Sequence, residues 1–418
     1  MRFFALHLAS LGLASAAAVN TKVTYDGWKV YRVNVADNAK FSTLVSDLGL
    51  ATWKGRPETS DVVDVMVSPS QLEAWGQAAE GLETQVMHDN LGEAVAAEAD
   101  FPVYAAGIAA APNSSWFTAY HSIADHTQFV KDLSAAYPDN TEIFSAGKSV
   151  EGRDLTGIHI WGSGGKGSKK GVVLHGTVHA REWITTMVVE YAAYQLLTAT
   201  DADTKASRDK YDYYIIPVVN PDGFAYTQST ERLWRKNRQS TTSASCVGRD
   251  INRNWPNQWD QRGGASTSPC AEDYKGASAG DGVETKALKA HLDSIAAGKG
   301  VQLYMDIHSY SQLWMYPYGY TCSGTIPESA TYQKLSNGAV AAVKAVHGTA
   351  FTAGPICTTI YQVSGDSVDY AYQVAKANYS MTVELRDTGA NGFVLPANQI
   401  TPSGEEMWAG FSYLFKNM

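Results

Sequence analysis

Long apolar runs are nearly absent from this chain. After the first twenty residues, no stretch reaches the roughly 18 uninterrupted apolar residues that a membrane span needs. Basic charge is also short: 33 Lys and Arg stand against 42 Asp and Glu, a formal net charge of −9. That balance argues against nucleic acid or an anionic membrane as the main partner. Cysteine is scarce, with four residues (Cys246, Cys270, Cys322 and Cys357) and no C-x-x-C pair among them. A structural zinc site or a thioredoxin-like redox motif would need such a pair.

What is present describes a large globular protein. At 418 residues, 44% hydrophobic and 18% charged, the chain exceeds what one hydrophobic core usually supports and predicts two domains. It opens with "MRFFALHLASLGLASAAAVN". Arg2, the apolar stretch Phe3 to Leu13 and the small residues before Ala18 read as a signal peptide over 1–18, hence a secreted protein. An even cysteine count suits that compartment and predicts two disulfides. Three pairings are open, and loop economy favours Cys246–Cys270 with Cys322–Cys357.

Charge and pattern divide the remainder. Between Pro57 and Val130 there is no Lys or Arg, and from Glu58 to Asp100 there are ten Asp or Glu. The small-residue stretch "FPVYAAGIAAAPNSS" follows, as a linker would. Before it, "WKVYRVNV" and "DVVDVMV" alternate like strands, and "SPSQLEAWGQAAEGL" has helical spacing. This is a small α+β unit. After it, "GVVLHG", "YDYYIIPVV", "VQLYMDIH" and "YSMTVEL" alternate with helical patterns such as "WITTMVVEYAAYQLL", which predicts an α/β domain with helices on both faces of the sheet. Asn113 and Asn378 begin glycosylation sequons, the second at the start of a buried strand.

Open α/β sheets place their sites at the carboxyl ends of strands. There the chain puts His179 and Glu182 ("HARE"), His308, Glu384 and Arg386. Two His and one Glu form a zinc set that leaves a fourth position for water, and a cation so held polarises a carbonyl and suits amide hydrolysis. "HARE" is not the H-E-x-x-H pattern, so that motif lends no support. Asp250 in "GRDINRNW" is a candidate to hold the outer nitrogen of a ligating imidazole. His121, His126, His159, His291 and His347 read as structural. In "INRNW" the Trp would bury Arg253 with it, and a buried guanidinium calls for an anionic partner such as a carboxylate. A metal-activated water beside a carboxylate receptor is what removal of a peptide's last residue requires.

These strings, together with "RLWRKNR", "DIHSYSQLWMYPYGY", "TIYQVSGDSVDYAY" and "VELRDTGANGFVLPANQI", are collinear from about residue 22 onward. The chain resembles the secreted zinc metallocarboxypeptidases of the carboxypeptidase A type. The resemblance implies a mixed central sheet flanked by helices, preceded by an inhibitory α+β open-sandwich pro-domain. The expected organisation is a pro-domain over 19–100, an activation linker over 101–113 and a catalytic domain over 114–418. It implies one Zn2+ per chain on His179, Glu182 and His308, with Glu384 as the general base toward the zinc-activated water. Arg235 would stabilise the oxyanion. Asn252, Arg253 and Tyr361 would hold the terminal carboxylate, with Arg181 binding substrate further from the cut. Cys246–Cys270 and Cys322–Cys357 match disulfides of family members.

Val368 matches the pocket-floor position that is apolar in A-type enzymes. Met315, Gly319, Ile356, Ile360, Val363 and Thr382 match lining positions, which implies a preference for aromatic or large aliphatic C-terminal residues. Asp366 offers the alternative of a B-type preference for basic residues, against a plain role in turn chemistry. A further alternative is a non-catalytic module that binds peptide C-termini. The partners expected are peptide or protein C-termini and an activating protease. With no basic residue in the linker, that protease should prefer small or apolar residues and cut within about 104 to 113.

Overall fold

The computed structural model describes residues 22–104 and 112–418. The predicted signal peptide and most of the predicted cleavage window lie outside those residues.

The first unit is a four-stranded sheet in the order β2-β3-β1-β4. Its strands are β1 (Lys29–Asn34), β2 (Ala51–Lys54), β3 (Val62–Val67) and β4 (Glu83–His88). Strand periodicity gives the sheet two apolar faces. Val33, Val63, Val65 and Val67 pack beneath the helices Asn38–Leu48 and Leu72–Ala78 through Phe41 and Trp75. Val30 and Met66 point the other way and join Trp53 and Leu91 against Leu233, Tyr310, Phe393 and Val394 of the second unit. The small unit therefore completes its core on the large one.

The second unit contains β5 (Thr141–Lys148), β6 (Asp154–Ile160), β7 (Gly171–Gly176), β8 (Asp212–Ile216), β9 (Val301–Ser309), β10 (Leu313–Tyr316), β11 (Thr352–Pro355) and β12 (Tyr379–Leu385). They form one sheet in the order β11-β10-β12-β9-β7-β8-β6-β5. The central four, β12-β9-β7-β8, run parallel, while β5, β6 and β10 add antiparallel pairings. The sheet is thus mixed. Alternation again sorts the side chains: Val172 and Leu174 enter one core, and Val173 enters the other. The helix Trp183–Thr198 is largely apolar and buried over most of its length, as expected for a helix enclosed on several sides. Its neighbour on the same face is the helix Ile400–Asn417.

The chain joins Cys246 to Cys270 and Cys322 to Cys357. Asn378 is exposed and lies one residue before β12, so it is not buried with that strand as its sequence position suggested. Asn113 is exposed as well.

Candidate metal centre

The parallel strands β7, β9 and β12 end side by side. Residue 308 on β9 lies level with residue 384 on β12. Just past β7 the chain turns sharply at Thr177, whose φ of +59° is left-handed. For a β-branched residue that conformation costs on the order of 1–3 kcal/mol. Its amide donates to Thr185 Oγ1 at 2.8 Å, and its hydroxyl donates to the Pro217 carbonyl at 3.0 Å. These contacts hold the strain in place. Ala180 N–H then donates to the Arg235 carbonyl at 2.9 Å, and Glu182 N–H to the His179 carbonyl at 3.2 Å. That last bond closes a tight turn and folds Glu182 back onto His179. The three-residue spacing therefore works through a turn ahead of the helix rather than through helical geometry.

His179, Glu182 and His308 each offer one ligand atom, and these atoms lie within 4.8 Å of one another. His179 Nδ1 is 2.7 Å from Glu182 Oε1, His308 Nδ1 is 3.1 Å from Glu182 Oε2, and the two Nδ1 atoms are 3.1 Å apart. All three residues are at most 5% exposed. His179 Nε2 lies 3.1 Å from Asp250 Oδ1, a carboxylate placed to hold that nitrogen's proton and free Nδ1 for a metal ion. Two imidazole nitrogens and a carboxylate thus meet in one buried cluster, an arrangement that a borderline-soft divalent cation satisfies. The donor set fits zinc.

Asp250 ties this cluster to the cationic one beside it. Its Oδ1 also accepts the Asn252 amide at 2.8 Å, and its Oδ2 accepts Arg235 Nη2 at 2.7 Å and Nε at 3.2 Å. Burial alone would raise the Asp250 carboxyl, but the charges of Arg235, His179 and Arg253 outweigh it and hold the group well below the usual range. Arg253 is buried, as is Trp255. Its Nη1 donates to the Asn252 carbonyl at 2.9 Å, its distance to Asp250 is 3.8 Å, and its Nε has no partner. A guanidinium left this open can take an external carboxylate. Burial pushes the Glu384 carboxyl up to about 8, with the Glu182 charge adding to the effect.

One cavity of about 640 Å³ collects His179, Arg181, Glu182, Arg235, Asn252, Arg253, His308, Tyr361, Val368 and Glu384 along its wall. Met315, Ile356, Ile360, Val363, Thr382 and Asp366 line it too. Arg386 does not. It turns away from the rim and donates to Glu406 at 3.1 Å and Thr349 at 2.9 Å, because the acidic partner on the C-terminal helix offers a buried ion pair. The histidines read as structural include His126 on Glu190 at 2.9 Å and His159 on Asp212 at 2.8 Å.

The sequence implied that the small unit shields the site, but not which of its residues reach this cavity. Trp53, Lys54 and Arg56 line it. Arg56 donates to the Gly264 carbonyl at 2.9 Å and to Asp273 at 2.7 Å, and stands 5.3 Å over the Tyr361 ring. Asp64 accepts the Tyr310 hydroxyl at 2.7 Å and is itself gripped by Arg32 through two 2.7 Å bonds. A signal was available: Lys54 and Arg56 are the last cations before the long acidic stretch.

The chain is similar to known proteins over nearly its whole length. The family described as zinc carboxypeptidase matches residues 126–410, and that described as carboxypeptidase activation peptide matches residues 28–98. Metallocarboxypeptidase A of Trichophyton rubrum is 49% identical over 415 residues, covering 97% of this chain and 98% of its own. Carboxypeptidase A1 of Bos taurus is 35% identical over 398 residues, covering 93% of each. Among solved structures, thrombin activatable fibrinolysis inhibitor superposes with a TM-score of 0.83 at 26% identity, covering 93% of this chain and 98% of that one. Carboxypeptidase A from Helicoverpa armigera gives 0.80 at 27%, covering 93% and 97%.

Proposed function

The chain belongs to the zinc carboxypeptidase family and carries that family's activation peptide, and on this premise we propose which residues perform its reaction, on which substrates and where. It is a metallocarboxypeptidase made as a zymogen. One zinc ion per chain would be held by His179, Glu182 and His308. The observation that carries this assignment is that one ligand atom from each of these three buried residues lies within 4.8 Å of the others. When bound, zinc lowers the pKa of a water molecule and polarises the scissile carbonyl.

The side chains divide the remaining work. Glu384 takes a proton from the attacking water and passes it to the leaving amine. A carboxyl raised by burial suits a group that must both accept and release a proton near neutral pH, and a cation nearby draws its value down from about 8. Arg235, locked by Asp250, presents its guanidinium to the developing oxyanion. Arg253, with Asn252 and Tyr361, holds the substrate's terminal carboxylate. Arg181 lies buried 4.1 Å from the Phe393 ring and 3.4 Å from Glu272 and contacts substrate further from the cut. Val368 and its apolar neighbours favour aromatic or large aliphatic C-terminal residues.

The protein is secreted after loss of residues 1–18. Residues 19–100 form the inhibitory pro-domain, 101–113 the linker and 114–418 the catalytic domain. An activating protease that prefers small or apolar residues cuts the linker. The test is release of the last residue from peptides ending in Phe and in Arg, before and after limited proteolysis of the linker. Turnover should appear only after proteolysis, vanish with a chelator, return with zinc and favour Phe. Chelator-resistant turnover would sink the metal assignment, and an Arg preference would replace the apolar reading with the basic one.

A further inference from the structure

Asp250 stands behind the outer nitrogen of His179, and the outer nitrogen of His308 has a carboxylate of its own. Asp306 lies two residues earlier on β9, so its side chain leaves the strand on the same face as His308. Its Oδ1 is 3.0 Å from His308 Nε2, and both residues are at most 2% exposed. The register sets His175 of β7 level with Asp306, and His175 Nδ1 stands 3.4 Å from the same oxygen. Oδ1 has no aligned hydrogen bond from either ring. At these distances its charge acts on a ring N–H without one, and no competing donor holds it elsewhere.

One other polar group approaches His308 Nε2, the Asn252 Nδ2 at 3.4 Å. Asn252 Oδ1 already accepts the Ser367 amide at 2.9 Å, which makes Nδ2 a donor and unfit to take a proton from the imidazole. Asp306 is therefore the acceptor within reach.

Ser367 aims that carboxylate. Its buried hydroxyl donates to Asp306 Oδ2 at 2.6 Å, a bond strengthened by the acceptor's charge. The same residue thus serves both halves of the site. Its hydroxyl supports Asp306 behind His308, and its main-chain amide supports Asn252, whose own amide donates to Asp250 Oδ1 at 2.8 Å. A carboxylate on the outer nitrogen of a ligating imidazole fixes the ring and raises its basicity. We infer that Asp306 is the positioning residue of His308, and that Ser367 sets its aim and so ties the metal ligand to the carboxylate receptor.

This inference rests on the proposed zinc reading, and the experiment separates the two. The full-length chain is used, with zinc affinity read by chelator competition and stability by the Tm of the metal-free chain. Zinc binding by the wild type, and chelator-sensitive hydrolysis of a Phe peptide after linker cleavage, test the reading itself. Asp306→Asn should weaken zinc binding by about 10–100-fold, the scale of an outer partner. It should also shift the visible absorption of the cobalt-loaded chain, because a turned imidazole changes the ligand geometry. Ser367→Ala keeps the amide on Asn252 and should weaken zinc by about three- to tenfold, the scale of one hydrogen bond. The double variant should bind zinc no more weakly than Asp306→Asn alone, a coupling that independent structural damage does not produce. If Asp306→Asn does not fold, the zinc affinity and cobalt spectrum of Ser367→Ala decide the matter. Zinc affinity within about twofold of wild type in whichever variants fold, with Tm alone lowered, would overturn the inference. Losses that add in the double variant would overturn it too. Either result leaves the reading intact so long as the wild type binds zinc and hydrolyses the Phe peptide.

Discussion

Replacing Asp250 by Asn should damage the protein in two measurable ways. The native carboxylate serves His179 and Asn252 through one oxygen and Arg235 through the other. Asn keeps one acceptor, so the Oδ1 contacts survive in part. Its Nδ2 must then face the Arg235 guanidinium, donor against donor, and the buried cation loses its counter-charge. Removing one partner of a buried pair costs about 3–5 kcal/mol. For a domain of about 300 residues, with an unfolding entropy near 2.1 cal/mol/K per residue, that lowers the metal-free Tm by roughly 6 °C. The His179 tautomer is less firmly held as well, and loss of such an outer partner weakens metal binding by about 10–100-fold. Chelator competition measures zinc affinity, and calorimetry of the metal-free chain measures stability. If Tm falls alone, Asp250 serves Arg235 and not the ligand. Zinc affinity within twofold of wild type together with an unchanged Tm would refute the reasoning outright.

Three further outcomes follow from the same geometry. Glu384→Gln should retain zinc stoichiometrically yet lose turnover, measured by metal analysis alongside peptide hydrolysis; retained activity removes it as the base. Arg235→Ala should lower kcat by about 10²–10³, the scale of one oxyanion donor, and steady-state kinetics near wild type would cancel its role. Converting Cys246 and Cys270 together to Ser opens a loop with a sequence separation of 24 and should cost about 3 kcal/mol in chemical denaturation.

Much of the cavity was readable in advance because its chemistry rests on residue types that seldom share strand ends. His179, Glu182, His308 and Glu384 announce themselves through the apolar strands that precede or contain them, and burial makes those strands conspicuous. The strands that escaped notice, β2, β4, β5, β6, β10 and β11, lie toward the edges or alternate with polar residues. β11, "TAGP", has no pattern of its own and exists through pairing with β10. Arg386 was misplaced for a related reason: strand position predicts where a side chain starts, but Glu406, distant in sequence, decides where it goes. The strain at Thr177 was likewise invisible, since nothing in "HGTVHARE" advertises a left-handed threonine.

The shared core and the Arg56 and Arg32 contacts have a consequence for the timing of activity. While the linker is intact, the small unit meets the cavity at an effective concentration in the millimolar range typical of short tethers. Cutting the linker removes the tether and none of the contacts, so the severed unit becomes a free ligand of the enzyme it guarded. Cleavage and activation are then separate events, divided by a dissociation step. Onset should depend on dilution: a concentrated secretion would stay silent after every linker is cut, and would turn active as it spreads or as the freed unit is destroyed.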